Sequence, residues 1–179
     1  MRLLLLRHAK SDWADTTRAD IDRELNRRGK SAARLMGGYL QQNALLPDRT
    51  LCSTALRTRE TLSRLLPFLP NEAQIHLVSD IYDQGDLSYT GILRKFGGRS
   101  QTLMILGHNP ATEQTAEELV GTGDQYLRAD MNAKYPTAAL AVIDFDISDW
   151  ADLRAGTGHL DRFVKPRDLD EGTSPISAE

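Results

Sequence analysis

Four leucines in succession, residues 3–6, open the chain and run straight into Arg7 and His8 with no turn residue between. A short, wholly apolar run predicts a strand buried on both faces, as in a parallel sheet. Residues 10–28 are polar, rich in Asp and Arg and without periodicity. They read as a long loop with at most a short helix, and a loop of that length in a compact domain is usually functional or mobile. Gly29 then precedes a helical pattern through Ala33, Met36 and Leu40. Pro47 and Asp48 mark a turn, and residues 50–52 a brief buried strand.

Ser53 and Thr54 read as helix-start residues, because a hydroxyl there accepts a free first-turn N–H. The helix is expected over 55–66 with Leu62, Leu65 and Leu66 facing inward, closed by Pro67 and Pro70. A third strand follows at 75–78, then a polar loop at 80–86 and a short amphipathic helix at 87–96 ending on Gly97-Gly98. Residues 102–106 form another apolar run, stopping at Gly107-His108-Asn109-Pro110. Asn109 as N-cap with Pro110 in the first helical position signals a helix start. That helix carries Ala116, Leu119 and Val120 and breaks at Gly121-Thr122-Gly123. Residues 138–145 are a further strand, 150–158 loop or helix, and 160–164 a last edge strand. Residues 1–165 are thus expected to form a single domain, with 166–179 a flexible C-terminal tail. Strands alternating with helices indicate an α/β layered sheet.

At 179 residues the chain is long enough for one real core and too short to favour two domains. A net charge of −3, with no basic run or interleaved aromatic stripe, gives no pull toward nucleic acid. The single cysteine, Cys52, excludes an internal disulfide and offers no zinc framework. The leucine run is far shorter than a signal-peptide core, so no membrane partner and a reduced, cytoplasmic setting are expected.

Three segments share one design: an apolar strand ends, a polar residue appears, and a helix or loop departs. They are Leu6-Arg7-His8, Cys52-Ser53-Thr54 leading to Arg57, and Leu106-Gly107-His108. If the three strands are parallel neighbours, their carboxyl ends bring Arg7, His8, Arg57 and His108 into one pocket. Two guanidiniums and a second imidazole around a nucleophilic imidazole make a phosphoryl clamp, aided by the start of the Arg57 helix. Singly, each residue has a plainer reading: a solvated Arg7-His8 pair, an Arg57–Glu60 surface ion pair, a loop histidine at 108. His76 and His159 read as structural or surface residues, and no metal-ligand spacing appears among the histidines.

The motifs Arg7-His8-Ala9-Lys10-Ser11, Leu25-Asn26-Arg27-Arg28-Gly29, Ser53 through Thr61, and Gly107-His108-Asn109-Pro110 together resemble the histidine phosphatase superfamily over roughly residues 1–165. The short length is similar to the small phosphohistidine phosphatase branch. The resemblance implies a three-layer α/β/α fold with a mostly parallel central sheet, of the phosphoglycerate mutase-like kind. It also implies a metal- and cofactor-free phosphatase that forms a phosphohistidine on His8, with Arg7, Arg57 and His108 on the phosphoryl oxygens and Ser11 as a further substrate contact. The partner implied is a phosphorylated protein, with a small phosphorylated molecule as the alternative. The phosphoglycerate mutases carry Gly and Asn where this chain has Ala9 and Ala14, and place a glutamate acid after the third strand. Here that loop offers Asp83, with Asp80 and Asp86 nearby. A doubtful acid favours an activated phosphate such as phosphohistidine over a sugar phosphate. Two other readings stay open: a phosphomonoesterase or mutase acting on a metabolite, and a catalytically silent phosphate-binding module.

Overall fold

A computed structural model describes residues 1–14, 17–83 and 88–170 of the chain. The leucine run becomes β1 (Arg2–Arg7), and all four leucines are fully buried. Buried from both sides, each such side chain contributes about 1.5–3 kcal/mol relative to exposure. Alternation splits them between layers. Leu3 and Leu5 join one core with Ile92, Leu93, Ala116 and Leu119, while Leu4 and Leu6 join another with Met36, Leu40, Leu62 and Leu65.

Beside β1 in chain order lie α1 (Arg27–Gln42), β2 (Arg49–Ser53), α2 (Leu56–Leu65), β3 (Gln74–Val78), α3 (Asp80–Asp83), α4 (Tyr89–Phe96) and β4 (Thr102–Gly107). They are followed by α5 (Ala111–Leu119), β5 (Val120–Gly123), α6 (Gln125–Ala133), β6 (Leu140–Asp144), β7 (Gly158–Val164) and α7 (Pro166–Asp170). The seven strands form one sheet in the order β3-β2-β4-β1-β6-β7-β5. Neighbours run parallel except where β6 meets β1 and β7. With α1 and α2 on one face and α4 and α5 on the other, this is the expected three-layer, mostly parallel arrangement. Among the described residues no helix is long and apolar enough to cross a membrane.

Several expectations are corrected. Helix α1 starts before Gly29, because Asn26 caps it by accepting from Gly29 N–H at 2.9 Å. Gly29 is needed for another reason: a Cβ there would overlap the Lys10 carbonyl, so α1 lies directly against the chain leaving β1. Neither Ser53 nor Thr54 caps α2; Ala55 holds that position without a side-chain bond. Leu66 is 46 % exposed and lies outside the core, because α2 ends at Leu65. Asn109 does not cap α5, which starts at Ala111 after a cis Asn109-Pro110 bond. The Asn109 amide instead donates to Glu113 and to the Tyr135 carbonyl.

The Gly-Thr-Gly break is itself β5, paired beside β7, so β7 is interior and β5 takes the edge. Val120 belongs to that strand and not to α5. Helix α6 was not anticipated. Asp124 caps it by accepting from Tyr126 and Leu127 N–H, but among its residues only Met131 is buried, too thin a stripe to read. The polar loop after β3 opens with α3. The expected tail begins with α7, whose Leu169 packs against the α1-side core. Asp86, Leu87 and residues 171–179 lie outside the described residues.

Candidate active site

The carboxyl ends of β1, β2 and β4 meet because the three strands are adjacent and in register, with Arg7 opposite Gly107. His8 follows β1, and its N–H donates to the Gly107 carbonyl at 2.9 Å. The two imidazoles are each 7 % exposed, with ring centres 5.0 Å apart. His8 Nδ1 lies 2.7 Å from the Ala9 carbonyl, which can only accept, so Nδ1 carries the proton and Nε2 keeps its lone pair. Gly107 matters for packing: a Cβ would overlap the Tyr89 hydroxyl, which accepts from His108 N–H at 2.9 Å.

His108 is oriented from β2. Its Nε2 lies 2.8 Å from Ser53 Oγ, and Ser53 Oγ also accepts from Ala55 N–H. When the hydroxyl proton is donated to Nε2, the ring proton sits on Nδ1, which is buried and without a partner among the described residues. Arg7 reaches across the sheet, donating to the Tyr135 carbonyl at 2.6 Å while its Nε stays buried and unpaired. Arg57, in the first turn of α2, donates to the Asp20 carbonyl at 2.7 Å and to Asp20 Oδ2 at 3.0 Å. Its Nε, too, has no partner. Unsatisfied buried donors on three elements around one imidazole are costly unless an anion completes them.

All four expected residues line one cavity of about 670 Å³. Ser11 lines it as well, accepting from Arg23 at 2.9 Å. Asp83 does not: it is exposed on α3, and its neighbour Tyr82 lies edge-on to His108 at 5.7 Å. His76 and His159 are exposed, as expected.

The residues not legible in the sequence come from the long polar loop, expected to be functional or mobile and represented there only by Ser11. Asp20 accepts from Arg57 and from the Tyr82 hydroxyl and pairs with Arg23 at 3.4 Å. Arg23 is buried, with Nε and one terminal nitrogen lacking hydrogen-bond partners. Trp13, 71 % exposed, stacks on the Arg23 guanidinium at 3.5 Å. No local pattern announces these residues; only an Arg- and Asp-rich stretch without periodicity hints at them.

Burial, reinforced by His108, Arg57 and Arg7, pushes the His8 imidazole down to about 3 against an opposing hydrogen bond to Ala9. Burial, then Arg57, takes His108 to about 3 as well, with Asp20 opposing. Both rings are neutral at pH 7. Burial also lowers Arg7 from its ordinary value, partly offset by Glu113. Desolvation pushes the Asp20 carboxyl upward, but Arg57, Tyr82 and Arg23 outweigh it and hold Asp20 below the usual range, hence ionised. The arrangement offers a neutral nucleophilic nitrogen facing fixed cations, the equipment for phosphoryl transfer.

Fold and pocket together have the form of an α/β enzyme that acts on phosphoryl groups. A profile of the Histidine phosphatase superfamily (branch 1) matches residues 3–81. An uncharacterized protein of Mycobacterium tuberculosis is 33 % identical over 164 residues, covering 90 % of this chain and 100 % of that protein. A candidate phosphohistidine phosphatase SixA from Agrobacterium tumefaciens superposes with a TM-score of 0.74 at 31 % identity, covering 92 % of this chain and 97 % of that one. The protein histidine phosphatase SixA complexed with tungstate gives 0.74 at 21 % identity over 94 % and 99 % of the two chains, a likeness of fold alone. The chain belongs to the histidine phosphatase superfamily, in its SixA-like branch, and is a phosphatase of the histidine type.

Proposed function

We propose that this enzyme removes phosphate from phosphohistidine in a protein, through a phosphohistidine on its own His8 and without a metal ion. The observation that carries the reading is the His8 ring: Nδ1 is fixed on the Ala9 carbonyl, leaving Nε2 as a lone-pair nitrogen among Arg7, Arg57 and His108. In the first step His8 Nε2 attacks phosphorus, a P–N bond forms, and the bond to the leaving group breaks. Negative charge on the phosphoryl oxygens falls to Arg7, Arg57, Arg23 and the Nδ1–H of His108. In the second step water attacks the same phosphorus and returns His8 to its starting form. Most catalysis of phosphoryl transfer lies in positioning and charge stabilisation, which the guanidiniums supply.

The substrate class follows from proton supply. Among the described residues Asp20 is the one carboxylate lining the cavity, and it is held ionised, so it is no proton donor. An alkoxide leaving group, whose parent alcohol is about as weak an acid as water (pKa roughly 15.7), would need one. An imidazole, with a pKa of about 6.5, leaves protonated near neutral pH with little help. The test is a substrate panel comparing a phosphohistidine peptide with aryl and sugar phosphates, with and without chelator. The expected result is preference for the phosphohistidine peptide, unchanged by chelator. Preference for the sugar phosphate, or loss of turnover with chelator, would contradict it.

A further inference from the structure

A second, smaller cavity of about 260 Å³ adjoins the catalytic one and shares Lys10, Arg28 and Lys134 with it. Lys165, between β7 and α7, and Arg167 of α7 complete its cationic lining. Across the two cavities cations outnumber carboxylates eight to two, in a chain whose net charge is −3. Both carboxylates are already committed, Asp20 to Arg57 and Asp130 to the buried Lys165. Lys10, Arg28 and Lys134 are exposed and have no ion pair among the described residues. Concentrated positive charge on an otherwise acidic protein is a recognition feature, because it draws and orients an oppositely charged partner.

We infer that this annex binds carboxylates of the substrate protein beside its phosphorylated residue, so that the enzyme selects phosphohistidine in an acidic surface. The inference rests on the protein-substrate reading given above. The annex cations come from four separate stretches: the exit of β1, the first turn of α1, the link from α6 to β6, and the passage from β7 into α7. Lys10, Arg28, Lys134 and Arg167 are exposed. Spread over a surface in this way, they suit an extended chain with several carboxylates better than one compact anion, which calls for an enclosed, converging cage. The phosphoryl site, by contrast, is deep, with both imidazoles buried.

The experiment uses two phosphohistidine peptides, one flanked by Asp and Glu and one by Ala, with an aryl phosphate as reference. The acidic peptide should have a kcat/KM about tenfold higher, the sum of a few exposed ion pairs, expressed in KM and shrinking with salt. Arg167 is 73 % exposed at its side chain, so Arg167→Glu folds normally and leaves aryl phosphate turnover unchanged while reducing the peptide preference. The double variant Arg28→Glu/Arg167→Glu abolishes that preference. Equal turnover of both peptides, or a preference that survives the double variant, overturns the annex while leaving the phosphohistidine reading intact. Turnover of the aryl phosphate but of neither peptide overturns both. Stronger competition by an RNA oligonucleotide than by the unphosphorylated acidic peptide would assign the cations to a different partner and overturn the annex alone.

Discussion

The sheet has two unlike halves that meet at β1. On one side β1, β4, β2 and β3 run parallel, and the exits of the first three supply His8, Arg7, His108, Ser53 and, through α2, Arg57. On the other side β6 turns back antiparallel, and what it brings to the site is support. Tyr135, just before β6, is fully buried; its hydroxyl donates to the Leu5 carbonyl and accepts from Ala141 N–H, while its own carbonyl holds Arg7. On the proposed mechanism the parallel half carries the chemistry, and the antiparallel half fixes where one of its cations stands. Damage to the first should appear in turnover, and damage to the second mainly in stability.

The largest expected effect sets that contrast directly. Arg57→Ala should lower kcat by about 10²–10³, the usual cost of removing one stabilising donor, with little change in melting. Steady-state kinetics beside a thermal melt would decide it, and a loss under tenfold would break the assignment of chemistry to the parallel half. Tyr135→Phe is its counterpart. It strands the Leu5 carbonyl and Ala141 N–H in the core, so stability should fall by about 1–3 kcal/mol by denaturant titration. Turnover should fall far less, because the backbone carbonyl that holds Arg7 remains. A collapse in kcat without loss of stability would reverse the roles of the halves.

A third prediction uses pH. His8 and His108 sit at about 3 in the folded chain against about 6.5 unfolded. Between those values the unfolded chain binds more protons, so stability is complete above roughly pH 6.5 and declines as pH falls toward 3. Each ring adds a slope of up to about 1.4 kcal/mol per pH unit. His108→Gln should flatten the decline by about half; an unchanged slope would show that burial of the rings does not govern acid stability. The smallest effect is expected at Asp83. It is exposed and does not line the cavity, so Asp83→Asn should change turnover of a phosphohistidine peptide by less than about twofold. A hundredfold loss would make it the missing acid and move the substrate reading toward alkyl phosphates.

The same division governed what could be read from the chain beforehand. In the parallel half a continuous apolar run ends on a polar residue, so strand, exit and site residue are adjacent in sequence. That is why Arg7, His8, Arg57 and His108 were legible. In the other half Gly121-Thr122-Gly123 looked like a break and proved to be an edge strand, because pairing with β7 supplies what propensity does not. Asp20, Arg23 and Trp13 were hidden for a related reason: Asp20 is held by Arg57 and Tyr82, Arg23 by Ser11, and Trp13 lies on Arg23, contacts that are distant or nonperiodic in sequence. Gly29 was read as a boundary, whereas its role is a close approach to Lys10 that only the folded chain reveals.

The central claim is that the lone pair on His8 Nε2 takes the phosphoryl group. Rapid quenching of the enzyme with a radiolabelled phosphohistidine peptide, followed by mapping of the label, tests it directly. Phosphate attached to residue 8, labile in acid and stable in alkali, and absent from His8→Ala along with turnover, is the predicted result. Turnover without label on the protein, or label that persists in His8→Ala, would contradict it.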